Sequence, residues 1–150
     1  MKILNEIFFN QPLITALVTW FVAQSLKFIT NIIKKREVDF RLLIITGGSP
    51  SSHSAIVSAL ATSVGFNFGF DSGLFALSAI LAAVVISDAR GIRQSAGKQA
   101  EILNKIIEDL YYRKGLKIKR LKELLGHTAL EVFYGTLLGI LVAVLFSVYY

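Results

Sequence analysis

Residues 129–150 read ALEVFYGTLLGILVAVLFSVYY, an apolar run interrupted by one charge, Glu131. A helix rises about 1.5 Å per residue, so a run of this length covers the roughly 30 Å hydrocarbon core of a bilayer. A soluble helix of the same length would carry a polar face, and this one has none. The stretch reads as a transmembrane helix, and its neighbours take their meaning from it.

Three further apolar runs precede it, Pro12–Ile33, Ser54–Phe70 and Leu74–Ser87. Pro12 is tolerated in an opening turn. The two middle runs are shorter and rich in Ala, Ser and Gly, residues that let transmembrane helices approach closely. They are expected inside the bundle, joined by a tight turn over Asn67–Gly73. The chain thus predicts an all-α, membrane-embedded bundle of about four transmembrane helices in one domain, residues 1–150. Composition agrees: 54% of the residues are hydrophobic, and the absence of Cys excludes disulfides and thiolate metal sites. No cleavable signal peptide is expected, since no basic cluster precedes the first run and the run is too long for a signal core.

Charge placement supplies the orientation. Of 16 Lys and Arg residues, five lie between Lys27 and Arg41, ten between Arg90 and Lys122, and one is Lys2. Both basic blocks fall on one side if there are four spans, with both termini on the other. The positive-inside rule makes the basic side cytoplasmic. A net charge of +6 would suit nucleic acid if it formed a face on a soluble fold. Blocks between apolar runs are a membrane pattern instead, and no nucleic-acid partner is expected. Within the second block, Ile92, Ala96, Ala100, Leu103, Ile106, Ile107 and Leu110 recur at helical spacing, with Gln99, Glu101, Lys105, Glu108 and Asp109 mostly opposite. This is a cytoplasmic-side amphipathic helix that can lie in the membrane interface or cover the end of the bundle. Gly115 is a plausible C-cap for it, and Leu116–Leu125 can form another short helix.

Four segments at that basic side can carry chemistry. In Gly47-Gly48-Ser49-Pro50-Ser51-Ser52-His53-Ser54, Ser51 or Ser52 can cap the following helix, whose free N–H groups suit a phosphate. His53 can give a proton to a leaving oxygen, or it can be a solvated turn residue. In Gly126-His127-Thr128-Ala129-Leu130-Glu131, Glu131 lies one turn beyond His127 and can fix its tautomer. The same Glu131 also completes a Thr-x-x-Glu capping box with Thr128. Spacing does not separate the two roles. Asp88-Ala89-Arg90-Gly91-Ile92-Arg93 offers Arg93 as a phosphate clamp with Asp88 to orient it, or a boundary anchor and ion pair. Gln24 and Lys27 are polar groups deep in an apolar run, to be paired or functional unless Lys27 snorkels. Arg41 is the best placed of the remaining basic residues to reach a phosphate, and Asn104 is read as structural. With two His and no Cys, no metal site is expected.

Taken together, these blocks resemble the type 2 phosphatidic acid phosphatases, relatives of the vanadium haloperoxidases. They are most similar to the divergent bacterial and plastid branch. The resemblance rests on Ala23-Gln24-x-x-Lys27, Gly47-Gly48-x-Pro50-Ser51-Ser52-His53-Ser54-Ala55, Asp88-Ala89-x-Gly91-x-Arg93, Gly97-Lys98-Gln99-Ala100 and Leu125-Gly126-His127-Thr128-x-x-Glu131-Val132. It implies phosphate-ester hydrolysis without metal or cofactor, and with the basic side cytoplasmic the expected place is the inner leaflet of a bacterial inner membrane. His127 would attack phosphorus with Glu131 in support. His53 would be the acid, then the base. Lys27, Arg93, Ser51 and Ser52 would hold the phosphate, with Arg41 as a further candidate. The implied partners are a lipid phosphate and the surrounding lipids, and a homo-oligomer is compatible with the pattern. The chain departs from the parent superfamily at three points. Ser52 replaces the glycine of Pro-Ser-Gly-His. Leu42 follows Arg41 where proline is usual, leaving Lys27 and Lys34 as rivals for one role. Leu121 stands six residues before His127 in place of arginine. The alternative is a membrane protein that binds anionic headgroups, or scaffolds a partner, without catalysis.

Overall fold

The computed structural model describes residues 2–35, 49–112 and 127–149. These form six helices: α1 (Lys2–Phe8), α2 (Gln11–Lys35), α3 (Ser52–Phe68), α4 (Gly73–Arg90), α5 (Ile92–Tyr112) and α6 (Ala129–Tyr149). Among the described residues there is no strand. The first of the expected runs is α2, which Asn10 caps by accepting from the Leu13 N–H at 3.1 Å. The second ends two residues early, at Phe68, because Gly69 takes φ 91° and breaks the helix. Ser72 then caps α4 by accepting from Phe75 N–H at 3.1 Å. Helix α1 was not expected from the sequence. It is short and contains no buried residue, so it leaves no periodic signal.

The inside and outside of this molecule are the reverse of a soluble protein's. The largest fully buried side chains are Thr15, Thr19, Ser51 and Ser54. Along α2 the buried positions are Pro12, Thr15, Ala16, Thr19, Ala23, Gln24 and Lys27, while Leu13, Leu17, Phe21 and Ile29 face outward. Bulky apolar residues gain nothing by leaving lipid for a protein interior, whereas small residues let backbones approach and polar groups find partners. The pattern is that of a membrane protein. Among the described residues three helices are long and apolar enough to cross a bilayer: α2 over Gln11–Ile33, α4 and α6.

Helix α3, at 17 residues, is shorter than these and sits at the centre, packed against α2, α4 and α6. Its approach to α6 is close at two glycines. A Cβ on Gly139 would meet Ser58 Oγ, Ala55 O and the Ala59 N at 2.9 Å, and one on Gly135 would meet the backbone of Ser51. Ser58 ties the pair further, its Oγ reaching Thr136 O at 3.2 Å.

Four contacts give the helix directions. Thr30 Oγ1, near the end of α2, reaches Ser49 O just before α3, and Ser51 N donates to Glu131 O at the start of α6. The His127 N–H donates to Ala89 O at the end of α4. At the other pole, Gln11 Nε2 approaches Phe146 O at 3.5 Å. Consecutive elements α2, α3, α4 and α6 therefore alternate in direction, and the ends bearing both histidines meet at one pole.

Candidate active site

Ser51 organises that pole. Its hydroxyl caps α3, accepting from the Ser54 N–H at 3.4 Å and from Ser54 Oγ at 3.1 Å. Its own N–H holds the Glu131 carbonyl at 3.0 Å. Both Ser51 and Ser54 are fully buried, and Ser52 is nearly so. The backbone of Ser51 lies so close to α6 that a side chain at position 135 would strike it, with the Ser51 N and C each 3.1 Å from a Cβ there. The glycine thus lets the start of α3, which carries His53, lie directly on the helix that follows His127.

The two imidazoles meet as a result. Their ring centroids are 6.2 Å apart, with the rings inclined at 55°. His127 is buried and His53 half-buried. The Nδ1 of His127 lies 3.3 Å from Glu131 Oε2. The same carboxylate oxygen accepts from the Thr128 N–H at 2.9 Å, while the Glu131 N–H donates to Thr128 Oγ1 at 3.3 Å. The capping box and the histidine contact, rivals on spacing alone, coexist because one oxygen has lone pairs for both donors. The cap fixes the Glu131 rotamer, and so fixes what His127 faces.

Lys27 does not snorkel. It is 3% exposed, its Nζ donates to Gln24 Oε1 at 2.8 Å, and it lies within electrostatic reach of the Glu131 carboxylate. A buried ammonium needs a partner, and the neutral amide leaves its positive charge available to an anion. Two helix N-termini, those of α3 and α6, end at the same pole, and each contributes a partial positive charge there. The site therefore combines two imidazoles, one carboxylate, one buried ammonium and the backbone donors at the start of α3.

Other expected members stand further out or beyond the description. Asp88 is half-buried near the end of α4, lining a groove with Ile80, Ala83, Val84 and Ser87. Arg93 belongs to the first turn of α5, but its side chain lies outside the description. Arg41, the basic loop before Ser49, Gly115 and the segment Leu116–Leu125 also lie outside the described residues. Three residues that position the site were not singled out from sequence: Ser54, Gly135 and Gly139. The Gly135-x-x-x-Gly139 spacing in an apolar run was the available signal, since it marks a face where helices touch.

Comparison with known proteins points the same way. Residues 8–142 match the profile of a family described as the Divergent PAP2 family. A Bacillus subtilis (strain 168) protein named only as the uncharacterized membrane protein YuiD is 42% identical over 156 residues. That alignment covers 97% of this chain and 99% of the relative. No solved structure matches.

Proposed function

The chain belongs to the divergent PAP2 family, and on that premise we propose that it is a membrane phosphatase acting through a phosphohistidine on His127. The observation that carries this reading is the 6.2 Å approach of His53 and His127, which lie far apart in sequence. Carboxylate contact at Nδ1 favours the tautomer with the proton there, leaving the Nε2 lone pair of His127 to attack phosphorus. As the N–P bond forms and the ester P–O bond breaks, His53 gives its proton to the departing oxygen. Neutral His53 then takes a proton from water, whose oxygen displaces His127 and releases inorganic phosphate. Lys27 and the donors at the start of α3 offset charge on the phosphoryl oxygens, the main protein contribution to such a transfer. Arg93, and Arg41 less directly, are candidates to complete that set.

The substrate class follows from where the site lies. It sits at the pole where the apolar spans end, so a phosphomonoester or diphosphate with its tail in the bilayer reaches it without leaving the membrane. The basic blocks at this pole support a cytoplasmic-facing site in a bacterial inner membrane. The test is phosphate release by purified protein against a panel of phosphatidic acid, phosphatidylglycerol phosphate and prenyl diphosphate. His127→Asn is expected to abolish release, labelled phosphate to be trapped on His127, and vanadate to inhibit as a transition-state mimic. Undiminished release by the variant overturns the mechanism. Headgroup binding with no release by the unaltered chain favours the non-catalytic alternative.

A further inference from the structure

Helix α5 has three sides in three surroundings. Gly97 and Asn104 are buried and Ala100 and Ile107 half-buried, and their 3-4-3 spacing sets them on one side. Lys98, Glu101, Lys105 and Glu108 repeat that spacing one position along and are all exposed. Lys105 Nζ donates to Glu101 Oε1 at 2.9 Å, which holds the Glu101 carboxyl below its usual range. Ile102, Leu103 and Ile106 form the third side, 57%, 48% and 48% exposed. The apolar face foreseen from the sequence is therefore split. Its Ala100–Ile107 edge turns inward beside Asn104, and the bulkier residues are left outside.

We infer that the Ile102–Leu103–Ile106 side of α5 lies in the bilayer interface, so that the helix runs along the rim of the bundle. Water is a poor neighbour for this side, since each Å² of apolar surface left in it forgoes about 25 cal/mol. Depth points to lipid. Only Gly91 separates α5 from the membrane-spanning α4, and its N–H still donates to Ser87 O at 2.8 Å. The helix therefore starts at the membrane boundary. Among the described residues α4 is the one helix it packs against, and α4 itself turns Leu77, Ile80 and Val84 outward, as a lipid-facing span does. Charge points to anionic lipid, because 15 of the 16 Lys and Arg residues lie in two sequence blocks that begin on helix ends at this pole, those of α2 and α4. An interfacial helix combines these features: apolar residues at the acyl boundary, and lysines such as Lys98 and Lys105 among the headgroups. The inference does not depend on any chemistry at the histidines.

The chain has no cysteine, so Leu103→Cys, Ile106→Cys and Lys98→Cys each introduce a single thiol for an environment-sensitive fluorophore. The labelled proteins are reconstituted in vesicles of phosphatidylcholine and phosphatidylglycerol. Probes at 103 and 106 are expected to emit to the blue of the probe at 98. They should be quenched several-fold more by a shallow nitroxide lipid and several-fold less by aqueous iodide. Equal iodide quenching at all three positions overturns the inference. Shielding of 103 and 106 from both quenchers overturns it as well, because protein rather than lipid then covers this side. Two apolar positions keep the result readable if one variant fails to fold.

Discussion

At the scale of single residues, Glu131 shows how two functions share one group. Its Oε2 accepts from the Thr128 N–H and lies beside His127 Nδ1, so substitutions can divide the roles. Glu131→Gln keeps an acceptor for the cap, and Gln is a natural member of a capping box. Helix stability is therefore expected to change little, while loss of the negative charge behind the nucleophile slows phosphate release by about a hundredfold. Thr128→Ala does the reverse. It removes the other half of the box at a cost of about 1 kcal/mol, leaves the carboxylate facing His127, and mainly lowers the melting temperature. Comparison of turnover with thermal unfolding in detergent for the pair checks this. Parallel losses in both variants would mean that Glu131 acts on the fold alone. The identities of these residues were legible in the sequence. Their simultaneous use was not, because a four-residue spacing says that two groups share a face and says nothing of how many lone pairs are engaged.

At the scale of elements, the four apolar runs were readable as helices because membrane spans need length and hydropathy more than periodicity. Both middle runs were expected inside the bundle, but only one of them lies there, since α4 buries little beyond Ser78, Ala82 and Ala89 and turns Leu77, Ile80 and Val84 outward. That place falls to α3, the shorter helix with its buried Ser, Ala and Gly side. The reason is the absence of a hydrophobic drive between lipid-bathed helices: small residues, rather than large apolar ones, select the interior. The short helix α1 and the split face of α5 escaped for a related reason, since burial in the first is nil and in the second follows Gly97 and Asn104. The α3–α6 seam can be tested directly. At Gly135→Ala the new Cβ meets the Ser51 backbone, which cannot rotate away. The helices must part, at an expected cost of about 1–3 kcal/mol, and His53, in the first turn of α3, moves with them. Gly73→Ala is the control, because nothing lies within 4 Å of its Cβ. Its stability is expected to stay within about 1 kcal/mol of the unaltered chain. A fully active, equally stable Gly135→Ala protein would show that this close approach does not position the site.

At the scale of the whole molecule, the charge pattern and the helix directions were reached independently and impose the same topology. The sequence puts Lys27–Arg41 and Arg90–Lys122 on one side. The backbone contacts of Ser51 with Glu131, and of His127 with Ala89, put the corresponding helix ends at one pole. The turn at the opposite pole carries a single charge, Asp71. An orientation with the basic pole outside would have to draw 15 of 16 cationic side chains across the membrane against the cytoplasm-negative potential, at about 2.3 kcal/mol per charge for each 100 mV. The histidines are then expected to face the cytoplasm. Asp71 and Lys98 are both exposed and lie at opposite poles, and the cysteine-free background makes Asp71→Cys and Lys98→Cys clean reporters. In intact cells a membrane-impermeant maleimide is expected to label position 71 and to reach position 98 only after the membrane is opened. The opposite result would move the site, and any lipid phosphate it accepts, to the outer leaflet, while leaving the chemistry of His53, His127 and Glu131 unaltered.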